Sequence, residues 1–172
     1  MSTHCITRFV DCDEIDVWPP SNLLRGAYLS IPQRTEMVYG QAREIVCAWR
    51  HHDGNPTVHG KLLKAIIEEG VEGGTAEEKT GCFTYMMSGH IEGDDNYVRL
   101  IPAGTHHIGE HFTYIVYFGS RNRIALQVIV CRYQPDSGTS YRENIYFGPA
   151  EWFMPHDVEA LAYPPEVEVN AS

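Results

Sequence analysis

The chain has 172 residues, 43% of them hydrophobic and 21% charged, and a formal net charge of −10. This is the composition of a globular protein, and residues 1–172 read as a single domain with enough apolar mass for its own core. The acidic balance disfavours duplex nucleic acid, and none is expected as a partner, because phosphate contact needs a basic face; no stretch approaches the ~18 apolar residues of a membrane helix.

The first element in chain order is a short strand at Ile6–Val10, after which Trp18-Pro19-Pro20 interrupts regular structure. Val38, Ala42, Ile45, Val46 and Trp49 recur at helical spacing and predict a helix over residues 35–50, with Thr35 as its N-cap. Asn55 and Pro56 open a second predicted helix over 56–69, which Gly70 ends. From Gly81 the apolar period changes to two and predicts strands at 82–91, 97–101, 111–118, 123–133 and 140–147. Short, polar turns join most of these strands, so neighbours in sequence are expected to pair antiparallel. A last short helix is predicted at Trp152–Leu161. The expected fold is α+β: two helices, then a five-stranded antiparallel, curved sheet or partial barrel. Ile124–Val130, apolar on both faces, is expected at its centre.

Cys5, Cys12, Cys47, Cys82 and Cys131 are odd in number and form no Cys-x-x-Cys. They read as reduced thiols of a cytoplasmic protein. The first ten residues include polar His4, Thr7 and Arg8 and show no secretory core.

Chemistry concentrates in Thr105-His106-His107-Ile108-Gly109-Glu110-His111, where three of the nine histidines and one carboxylate fall within seven residues. His107 and His111 have the His-x-x-x-His spacing of zinc hydrolases, but Pro102, Gly104 and Gly109 oppose the helix that this arrangement needs. No metal or other cofactor is therefore expected, and His111 or His107 is the candidate acid–base group. His51, His52 and His59 flank the second helix start and read as capping and surface groups.

Strand alternation then sorts side chains onto two faces. One face is expected to bed the helices. The other gathers Arg99, Thr113, Arg132, Arg142, Asn144, Tyr146, Tyr117 and Tyr85 around His111. Aromatic rings beside donors of one charge sign suit a small anionic or aromatic ligand. The favoured function is a small-molecule binding protein using this Tyr/Arg-lined face, compatible with a homo-oligomer and without a membrane partner. The alternatives are a small hydrolase or lyase using His111 or His107, and an acidic protein-interaction module without a pocket.

Overall fold

The computed structural model describes residues 3–12, 42–89, 98–105 and 108–164. Strands β1 (Cys5–Asp11) and β2 (Arg43–Arg50) come first. A single π-helical turn at Pro56–Gly60 runs into α1 (Lys61–Glu69), and α2 (Ala76–Gly89) follows. Strands β3 (Val98–Ile101), β4 (Phe112–Phe118), β5 (Ile124–Gln134) and β6 (Thr139–Pro149) come next, and α3 (Pro155–Ala162) is the last described element.

The six strands form one mixed sheet in the order β3-β2-β1-β4-β5-β6. The β1–β4 pair is parallel and the other pairs are antiparallel. This overturns the expected fold of two helices followed by five antiparallel strands. Two strands precede the helices, and they fill the sheet between β3 and β4.

Two elements changed type. Residues 43–50 form β2, where the sequence pattern predicts a helix; residues 35–41 lie outside the described residues. β2 lies between β1 and β3, with Cys47, Ala48 and Arg50 buried and Val46 and Trp49 half-buried. A strand covered on both faces need not alternate, so its apolar residues happen to match a helical stripe. Conversely, residues 82–89 belong to α2, although Cys82-Phe83-Thr84-Tyr85 has strand-like composition. The helix is set by a capping box: Thr75 Oγ1 accepts from the Glu78 amide at 3.2 Å, and Glu78 Oε2 accepts from the Thr75 amide at 3.0 Å. Phe83 and Met87, four residues apart, then both point into the core.

The helices pack against one face of the sheet. Leu63 and Ile66 of α1, Phe83 and Met87 of α2, and Val158 and Ala162 of α3 meet Phe9, Phe112, Tyr114, Val116, Leu126 and Val128. Phe9 and Phe83 touch edge to face at 5.4 Å. Gly60 must be small, since a Cβ there would come within 2.9 Å of the Phe153 ring. A second, smaller buried cluster of Val10, Cys12, Ile115, Tyr117 and Ala125 belongs to the opposite face.

Candidate functional site

Pairing registers place the polar side chains on that opposite face. Cys131 pairs with Arg142, and the Cys131 amide donates to the His111 carbonyl at 2.8 Å. His111 in turn donates its amide to the His4 carbonyl at 3.0 Å. A polar row therefore crosses the sheet at the N-terminal end of β1 and β4.

At one end of this row stands Arg142. Its Nη2 donates to the Glu110 carboxylate, and its Nη1 to Thr113 Oγ1 at 3.1 Å. Glu110 also accepts from the Ile108 amide at 3.0 Å. The Glu110 side chain is 1% exposed and that of Arg142 28%. A buried carboxylate thus holds a partly open guanidinium in one orientation, as a charge-assisted pair with little freedom. The guanidinium lines a concavity of about 420 Å³ together with Gly109, Glu110, Cys131, Ser140 and Tyr141.

Further along the row is a group of histidines. The His4 ring lies 4.5 Å from that of His51 and 5.8 Å from that of His111, and it stacks on Trp49 at 5.4 Å. His52 adjoins His51 at 4.4 Å. The His4 amide donates to His111 Nδ1 at 3.3 Å. Burial, then the charges of His51, His111 and His52, hold the His4 imidazole below its ordinary value.

Two polar groups support the sheet elsewhere. On the helix side, His59 is buried between Thr7 Oγ1 at 2.7 Å and Arg50 Nη1 at 3.3 Å. A guanidinium can only donate, so His59 Nδ1 is the acceptor and Nε2 carries the proton toward Thr7. Burial, then Arg50, push its value down to about 3. On the second face, Glu44 receives Arg8 at 3.0 Å, the Gly104 amide at 2.8 Å and the Cys47 thiol at 2.7 Å. Burial raises the Glu44 carboxyl, but these donors outweigh it and hold it below the ordinary range. Cys47 is pushed up to about 12 by burial and by Glu44.

The residues predicted as a single site are dispersed. By register, Arg99, Thr113, Tyr117, Asn144 and Arg142 share the second face, on which His111 also lies. Arg99 and Arg142 sit on opposite edges of the sheet, five strand steps or roughly 24 Å apart. Arg132 points to the helix side, where it meets Glu143 and donates to the carbonyls of Ala162 at 2.9 Å and Leu161 at 2.7 Å, closing the end of α3. Tyr146 is also on the helix side, buried, with its hydroxyl on the Pro149 carbonyl at 2.6 Å. Tyr85 is 81% exposed on α2. The expected cluster of Arg99, Arg132 and Arg142 is therefore not formed. His106 and His107 lie outside the described residues.

The two face errors have physical causes. The connection after β4 is longer than the predicted turn: Gly119 bonds Arg123 and Phe118 pairs with Ile124, which slips β5 by one residue. A bulge at Ile145 then puts Asn144 and Tyr146 on opposite faces. His4, His51, Glu110, Cys131 and Tyr141 were not predicted as site residues. They come from separate segments of the chain, and the pairings of β1 with β2 and β4, of β4 with β5 and of β5 with β6 set them in one row.

Among the described residues, no three His, Cys, Asp or Glu side chains are placed to hold a metal ion, and no helix is long and apolar enough to cross a membrane. Compared with known proteins, the chain matches no family model, no curated protein and no solved structure.

Proposed function

We propose that this chain binds a small aromatic or anionic molecule on the second face of its sheet, at the concavity beside Arg142. The observation that carries the reading is the buttressed guanidinium. Glu110 and Thr113 fix Arg142 from the buried side, while part of the group faces a concavity of about 420 Å³. Fixing a donor before the ligand arrives lowers the ordering cost of binding. Glu110 offsets most of the arginine's charge, which favours a ligand with a single acceptor group over a highly charged anion. The cytoplasm is the proposed location, supported by five thiols without disulfide partners.

Native mass spectrometry of freshly purified protein, followed by calorimetry with a panel of aromatic carboxylates and phosphates, tests this reading. Arg142→Lys should weaken the best ligand by about tenfold, or ~1.4 kcal/mol. Absence of binding across the panel, or wild-type affinity in Arg142→Lys, would overturn it.

A further inference from the structure

We propose that His4, His51, His52 and His111 form a proton-operated latch on the start of β1, closed while the four rings are neutral and released when they take up protons. The argument rests on which nitrogen faces which. His111 Nδ1 accepts the His4 amide at 3.3 Å, so it carries no proton in the closed state. A proton added there would set two N–H groups against each other. Among the described residues His4 Nδ1 is buried without a hydrogen-bond partner, so a proton added there finds no acceptor among them; a main-chain bond to His51 favours the protonated ring but does not outweigh burial and the neighbouring imidazoles. With ring centroids 4.5 and 5.8 Å from His4, a second charge meets the first at close range.

The surrounding charges come from every strand in contact with the group. β1 supplies His4, with Arg8 further along the same face bound to Glu44. The end of β2 and the turn after it supply His51, His52 and Asp53, and Asp53 lies 4.0 Å from Arg50. β4 and the residues before it supply His111 and Glu110, and Glu110 is held by Arg142. Cys131 and Arg142 adjoin His111 on the β5 side, and Arg99 pairs opposite Trp49 on β3. Among the described residues both nearby carboxylates thus have arginine partners, while the lowered His4 value agrees with a group arranged for neutral rings.

What the latch holds is explicit. The His4 carbonyl accepts the amides of His111 at 3.0 Å and Phe112 at 3.3 Å, and the Thr3 carbonyl accepts that of Gly54 at 2.8 Å. These three bonds fasten the beginning of β1 to the start of β4 and to the turn after β2.

Amide hydrogen exchange of the whole chain tests the proposal across about pH 7.5 to 5, the window in which an imidazole takes up its proton. After correction for intrinsic exchange, protection of His111, Phe112 and Gly54 should fall about tenfold per pH unit for each proton that opening takes up. Val116, in the middle of the same β4, should keep its protection. His111→Gln and His51→Gln should remain closed at the upper pH and lose most of the response. Unchanged protection of the three amides in the wild type overturns the latch, and so does a full response in both variants. Should a variant not fold, the wild-type comparison with Val116 still decides.

Discussion

The carboxylate of Glu110 and the guanidinium of Arg142 meet on the second face of the sheet, the acid almost wholly buried and the arginine partly open. This pairing decides how Arg142 bears on stability. Arginines placed as mutual neighbours would repel, and removal of one would cost little. An arginine that neutralises a buried carboxylate is structural as well.

Arg142→Ala should therefore destabilise the fold by about 2–3 kcal/mol, the cost of leaving a buried charged group without its partner. Adding Glu110→Gln should recover much of that loss, because the charge is then gone as well. Urea denaturation of both variants and the wild type makes the comparison. An unchanged midpoint in Arg142→Ala would show that Glu110 is satisfied without it.

Much of the fold is legible where one physical signal dominates. The strands at 98–101, 112–118, 124–134 and 139–149 follow their alternation and turns, and α1 follows its Asn55-Pro56 start. The failures share a cause. β2 has no clean alternation because it is buried in the sheet. α2 is strand-like in composition, yet Thr75 and Glu78 spell a capping box that was readable. The site is less legible than the fold. His4 and His111 stand 107 positions apart, and their contact depends on a parallel pairing that no local signal announces. A bulge and a slipped turn moved Tyr146 and Arg132 to the helix side; no glycine marks the bulge at Ile145, and Gly119 signals a turn without fixing its length.

The buried His59 predicts how stability depends on pH. Its folded value is lowered to about 3, while the unfolded imidazole titrates near 6.5. Between these limits the unfolded chain takes up a proton that the folded one refuses. Its contribution is therefore intact above about pH 6.5 and is lost as pH falls toward 3, at roughly 1.4 kcal/mol per unit. Carboxylates add their own acid dependence, so the difference between wild type and His59→Gln isolates this group. The variant should lose less stability between pH 6.5 and 4. Parallel curves would mean that His59 protonates in the folded state.

The N-terminus of α2 offers a test of the capping box. Thr75→Ala removes the acceptor of the Glu78 amide and should cost about 1 kcal/mol, whereas Thr75→Ser should cost little. Thermal unfolding followed by circular dichroism reads both. Equal losses in the two variants would assign the effect to the threonine methyl and not to the hydroxyl.

The thiols give the last prediction. Cys5, Cys12 and Cys47 are buried, and Cys82 and Cys131 are half-buried. Only the thiolate attacks a disulfide reagent, and Cys47, pushed up to about 12, carries almost none near neutral pH. Burial likewise pushes the Cys5 thiol well up. An aromatic disulfide reagent at mildly alkaline pH should therefore modify Cys82 and Cys131 first. The three buried thiols should follow only at the rate of local opening. Denaturant without reductant should release all five. Peptide mapping after partial reaction identifies which sulfurs have reacted. Early modification of Cys47 would show that its contact with Glu44 opens readily, and a shortfall of two thiols after denaturation would reveal a disulfide. Modification of Cys131 should also hinder ligand binding at the adjoining Arg142 concavity, while modification of Cys82, on α2, should leave it unaffected.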